Sequence, residues 1–202
     1  MLSLRFLAFL ACIAAGIASA QETTAGTHDC GEVNVFYTGL PSYHPLVVKQ
    51  GWDPVEVDLG IIGDTRTMIE AGYNVKLVVA GPEQDIGVIR SALSGTRWDV
   101  TGVGYGVRPA TIPEIVTRFE DLLQLFKEET PEARTVFNIG PTSLLWSVQR
   151  RFPLKSTCAG RPGKYLVYLT KKHQGHEVFF DGYKGLSVKP KKHLQESSQD
   201  EL

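Results

Sequence analysis

The chain of 202 residues predicts an α/β fold: a three-layer sandwich with a mostly parallel sheet of about four to five strands, flavodoxin-like or Rossmann-like. Three observations carry this. From Val57 onward, short apolar runs of strand length alternate with helical patterns. Glycine or proline punctuates most of the junctions between them. The connections are short, as strand–helix units around a parallel sheet require. With 43% hydrophobic residues the chain can bury one core of ordinary size.

Residues 1–20 read as a signal peptide. Arg5 precedes an apolar run from Phe6 to Ile17, and Ala18-Ser19-Ala20 matches the small-residue pattern of a cleavage site. The run is too short for a membrane span, and no other stretch of the sequence suits one; an uncleaved anchor is the alternative. Residues 21–55 form an N-terminal extension. In it Val33-Asn34-Val35-Phe36-Tyr37 is a possible strand, and Gly39, Pro41 and Pro45 mark a loop.

The α/β domain is expected over residues 56–155. Residues 57–62 have the length of a strand, stopped by Gly63. Asp64 or Thr65 then caps a short helix through Met68, Ile69 and Ala71, with Gly72 as its stop. Residues 74–80 are the second strand. Gly81-Pro82-Glu83 opens a helix whose Ile86, Ile89 and Leu93 share one face. The third strand starts at Trp98 and ends in the turn Gly104-Tyr105-Gly106-Val107-Arg108. Thr111-Ile112-Pro113-Glu114 matches a capping box. The long helix after it has Ile112, Ile115, Val116, Phe119, Leu122, Leu123 and Phe126 on its apolar face, with Arg118, Glu120, Asp121 and Lys127 mostly elsewhere. Residues 134–139 are the fourth strand, and Pro141 starts a helix bearing Leu144, Leu145 and Val148. Residues 156–202 read as a basic, partly disordered C-terminal tail. Within it, residues 165–169 are a candidate strand, residues 177–183 a candidate hairpin around Asp181-Gly182, and 187–202 are expected to be disordered.

Removing the signal peptide leaves two cysteines, Cys30 and Cys158. In an oxidising compartment they form either a disulfide tying the two ends of the domain together or two unpaired thiols. Charge divides unevenly: residues 21–150 hold 10 basic and 17 acidic side chains, residues 151–193 hold 10 and 2. The basic stretch lacks aromatic interleaving and any nucleic-acid motif, so solvation, or contact with the acidic domain, accounts for it and no nucleic-acid partner is expected.

In open parallel sheets, ligands bind beyond the carboxyl ends of the strands. The loops placed there carry Asp64, Thr65, Gly104, Tyr105, Arg108 and Asn138, and helix N-termini add amide donors that favour an anionic group. Asp64, Thr65 and Asn138 suit caps and turns equally well. The glycines from Gly102 fail the dinucleotide fingerprint: Val107 stands where the third glycine is needed, and the strand is the third, not the first. No cofactor is expected. His173 and His176, with Glu177, match neither metalloprotease order, so no metal site is assigned. Gln199-Asp200-Glu201-Leu202 resembles the retention signal of the endoplasmic reticulum, with glutamine in place of the basic first residue. The expected fate is secretion or retention in that lumen through the retention receptor.

Trp98-Asp99, Gly102 to Arg108, Arg118-Phe119-Glu120-Asp121 and Trp146-Ser147-Val148-Gln149-Arg150-Arg151-Phe152-Pro153 together resemble a group of uncharacterised fungal secreted single-domain α/β proteins. The likeness covers roughly residues 56–155, the span of one domain. It implies a fold and brings no catalytic residue. Three functions compete. The first is binding of a small polar or anionic molecule at the sheet's carboxyl edge. The second is a cofactor-free hydrolase, lyase or isomerase there, including one accessory to specialised metabolism, with Asp64 or His44 as base and Arg108 holding an anion. The third is a non-catalytic interaction protein.

Overall fold

Five strands, β1 (Asn34–Gly39), β2 (Asn74–Val79), β3 (Val100–Val103), β4 (Arg134–Phe137) and β5 (Tyr165–Leu169), run parallel in the order β4-β3-β1-β2-β5. The computed structural model describes residues 28–155 and 157–169, together with 178–179 and 187–188. The α/β expectation holds, and its parallel sheet has five strands. The central strand comes from the segment expected as an extension, and β5 from the segment expected as a tail. The sheet therefore draws on residues either side of 56–155.

Strand alternation builds the two cores. On β1, Val35 and Tyr37 face one side with Val75, Leu77 and Val79 of β2. Phe36 faces the other side with Val78, Trp98 and Val103. Helices α3 (Gly87–Leu93) and α4 (Pro113–Glu129) cover the Phe36 face through Ile89, Ile115, Leu122 and Phe126. Helices α2 (Pro54–Glu70) and α5 (Leu144–Gln149) cover the Tyr37 face through Met68, Leu144 and Val148. Lys76 crosses this pattern. Its ammonium lies 5.9 Å from the Trp98 ring centroid and donates to the Ala92 carbonyl at 2.6 Å.

Residues 57–62 are helical, which overturns the strand expected there. Asp53 accepts from the Val55 and Glu56 amides at 2.7 and 3.2 Å, and Pro54 occupies the first turn. The run then buries Gly60, Ile62, Thr65 and Met68 at helical spacing and leaves Val55 and Leu59 exposed. Gly63 lies inside the helix and stops nothing. Gly60 is where α2 meets the turn before α5: a Cβ there would stand 3.0 Å from that of Pro141.

Three helix starts also differ from expectation, and α5 begins at Leu144 after a turn at residues 141–142, not at Pro141. Pro113 holds the first position of α4 and Ile112 is its extended cap residue, with no side-chain cap bond, so no capping box forms. A residue before proline is pushed to extended backbone, which moves the boundary past Thr111. Helix α3 begins only at Gly87, whose amide bonds to Asp85 at 2.6 Å, and residues 81–84 form a turn. The buried stripe of α4 runs through Ile115, Arg118, Leu122, Leu125 and Phe126, and leaves Val116 and Leu123 exposed.

The Cys30 and Cys158 sulfurs lie at bonding distance, with Cα atoms 5.8 Å apart. Gly72 packs against this pair, since a Cβ on it would come within 2.5 Å of the Cys158 sulfur. Val178–Phe179 (β6) pairs with Ser187–Val188 (β7) in an antiparallel ladder. The hairpin is therefore wider than a tight turn at Asp181-Gly182, and residues 187–188, expected to be disordered, are paired; the other residues after 169 lie outside the described residues.

Candidate functional site

Strand order sets the position of the cleft. β1 and β3 are neighbours, yet β1 leads through α1 (Pro45–Lys49) to α2 on one face, and β3 leads to α4 on the other. Connections that part to opposite faces leave a crevice at the strands' carboxyl ends. A cleft of about 620 Å³, open to solvent, lies there. Its floor is Tyr37, Thr38 and Gly39 of β1 and Leu40 just after it, with Leu77 and Val79 of β2. Val47, Gln50 and Trp52 border it after β1, Val57 and Ile61 come from α2, and Pro141 and Leu144 lead into α5. Gly104, Tyr105 and Gly106 follow β3, and Asn138 follows β4. The wall is mostly aliphatic and aromatic, and none of these side chains is charged.

Of the six expected ligand residues, Gly104, Tyr105 and Asn138 line this cleft. Gly104 lies close to β1, its amide bonding the Thr38 carbonyl at 2.8 Å. The Tyr105 ring meets Trp52 edge to face, centroids 5.8 Å apart. Asn138 is 2% exposed; its Nδ2 donates to the Gly140 carbonyl at 2.6 Å, and its Oδ1 is buried without a hydrogen-bond partner.

The other three are not among the lining residues. Asp64 sits in mid-helix and accepts from the Leu144 amide, capping α5 from across the interface. Burial raises its pKa, against the lowering effect of the Leu144 and Leu145 amides. Thr65 is buried on α2, its hydroxyl unpartnered. Arg108 donates to the Asn138 carbonyl and lies 4.9 Å from the Phe137 ring centroid and 5.7 Å from that of Tyr105. Burial lowers its pKa. Arg108 thus braces the β4 loop from behind the wall.

His44, the candidate base, has both ring nitrogens engaged. Nδ1 accepts the Leu46 amide at 3.1 Å as the cap of α1, so the ring proton sits on Nε2 and goes to Glu83 Oε2 at 2.9 Å. Neither proposed base is positioned to take a proton from a molecule in the cleft.

Tyr37 is the most important lining residue that sequence reasoning missed. Burial pushes its pKa up to about 12, so it is a neutral phenol. Its hydroxyl is 3.2 Å from Ser147 Oγ, which itself donates to the Leu144 carbonyl at 2.6 Å; the phenol is therefore the donor to Ser147. The Tyr37 ring also explains a glycine: a Cβ on Gly102 would approach it to 2.3 Å. The signal in the sequence was the run from Val33 to Tyr37 followed by Gly39, a strand with its own turn.

Among the described residues no group of three or more His, Cys, Asp or Glu side chains could hold a metal ion, and no helix is long and apolar enough to cross a membrane. His173, His176 and the terminal Gln199 to Leu202 lie outside the described residues. Comparison with protein-family models and with curated proteins finds no match to this chain.

Proposed function

We propose that this is a secretory-pathway protein that binds a small, largely apolar molecule in the cleft at the carboxyl edge of its sheet. The single observation that carries this is the wall itself: an open cleft of about 620 Å³ at the β1/β3 switch point, lined by aliphatic and aromatic side chains with few polar groups. That apolar character with few polar groups suits small-molecule sites. An anionic ligand, expected from the loop residues, finds no charged side chain in the lining: Arg108 lies outside it, with one guanidinium nitrogen on the Asn138 carbonyl. The enzyme alternative loses support for the same kind of reason, since Asp64 and His44 both serve as helix caps. The secretory placement is supported by the Cys30–Cys158 pair, because disulfides persist in oxidising compartments.

The test is titration with Nile red, an uncharged apolar dye whose emission rises on leaving water. Wild type should bind one dye per chain. Val57→Phe enlarges a half-buried side chain in the cleft wall and should weaken binding at least tenfold while Tm moves only slightly. Dye binding that is absent in wild type, or unchanged by Val57→Phe, would reject the cleft as the site.

A further inference from the structure

His44 is a titratable side chain on which part of the cleft wall depends. It is buried, and both ring nitrogens are engaged: Nδ1 accepts the Leu46 amide at 3.1 Å, and Nε2 donates to Glu83 Oε2 at 2.9 Å. The first turn of α1 ties this cap to the cleft. The Leu46 carbonyl accepts from Gln50 Nε2 at 3.0 Å, and the Val47 carbonyl accepts the Trp52 amide at 3.2 Å. Val47, Gln50 and Trp52 all line the cleft. Three wall residues are thus held by a helix of five residues whose side-chain cap is one imidazole nitrogen.

Resting on the cleft as the binding site, we infer that His44 makes binding there pH-dependent: the apolar ligand is held while the ring is neutral and released when the ring is protonated. An imidazolium carries a proton on both nitrogens, so protonation turns Nδ1 from an acceptor into a donor. The Leu46 amide then faces a second N–H. Glu83 accepts from Nε2 in either state, so the ring cannot turn away from Leu46 without giving up that bond. The start of α1 gives way instead, and the wall residues on it lose their fixed positions. The charged groups around the ring are Glu83, Arg118 of α4 on the carbonyls of Gly81, Pro82 and Gln84 either side of it, and Asp53 and Asp58 beside the neighbouring Tyr43. They set how readily the ring gains its proton; the cap is lost whichever of them dominates.

The test is Nile red titration of the full chain across about pH 5–8, the range in which imidazole changes charge and the dye does not. Wild-type affinity should fall about fivefold or more toward the acid end, the size of a lost cap. His44→Asn keeps an acceptor for the Leu46 amide, in a residue type that caps well, and removes the titration; its affinity should be independent of pH. Glu83→Gln keeps an acceptor for Nε2 and removes the counter-charge, so the fall should move to lower pH by about half a unit or more. If one variant does not fold, the other carries the test. A flat wild-type profile with dye bound overturns the switch and leaves the cleft as a binding site. A fall that persists in His44→Asn, or stays in place in Glu83→Gln, belongs to another group, Asp64 first, and overturns the role of His44. No dye bound at the neutral end overturns the cleft reading on which this one rests.

Discussion

A carboxylate in the middle of one helix holds the start of another. Asp64 projects from α2 to the Leu144 amide, so the two helices that cover the Tyr37 face are joined by a half-buried acid. Burial dominates its titration and raises the folded pKa above the value of about 3.9 that the unfolded chain has. The folded state therefore holds this proton more tightly. The resulting stabilisation is fully present below the unfolded pKa and is lost as pH rises through the folded one. Asp64→Asn keeps an acceptor for Leu144 and removes the titration. The difference in unfolding free energy, wild type minus variant, should fall as pH rises from about 3.9 and then level off above the raised folded value. Urea denaturation of both proteins at several pH values measures it; a difference that rises with pH over that range would mean that the amide bonds, not burial, control the group.

Elements are held in the same way, by single side chains that cross between them. Arg118 of α4 is buried and donates to the carbonyls of Gly81, Pro82 and Gln84, so one guanidinium fixes the turn that separates β2 from α3. Arg118→Met fills similar space and leaves three carbonyls short of a donor. It should cost about 2–4 kcal/mol of stability, with amide exchange accelerating first across residues 84–87. Uniform acceleration over the whole sheet would instead indicate general loss of packing. This arginine also shows why part of the fold was hard to read. Its position on α4 looked solvent-facing by charge, yet backbone carbonyls from a distant loop satisfy it, and no local pattern announces that. Residues 57–62 pose a different problem: a six-residue apolar run has no periodicity of its own. The Asp53-Pro54 helix start just before it was the deciding signal. The strands β2, β3 and β4 were legible because turns bound each run. Gly104, Tyr105 and Asn138 were legible as site residues because they follow strands that had been placed correctly. Asp64 and Thr65 were misplaced with the false strand. Arg108 lies in the right loop, but which way a guanidinium turns is decided by Phe137, Tyr105 and the Asn138 carbonyl.

At the scale of the whole molecule, covalent constraint and binding lie at opposite ends of the sheet. Cys30 precedes β1, Cys158 comes shortly before β5, and Gly72, against which they pack, precedes β2. All three are at the amino ends of their strands, whereas the cleft gathers the carboxyl ends. The bridge His28–Leu154 and the bond from the Gly31 amide to the Gly72 carbonyl at 2.7 Å close the same seam. A link across 128 residues of sequence removes much freedom from the unfolded chain, about 5 kcal/mol in the loop-entropy model. Protein recovered from the secretory route should therefore show no free thiol at Cys30 or Cys158. The double variant Cys30→Ser, Cys158→Ser should melt about 10–20 °C lower. At temperatures well below that transition its Nile red affinity should stay within about twofold of wild type, because the seam touches none of the cleft wall. A variant that stays folded but loses dye binding would show that the amino-end seam and the carboxyl-end cleft are coupled through β1 and β2, and that the disulfide belongs to the binding apparatus as well as to the fold.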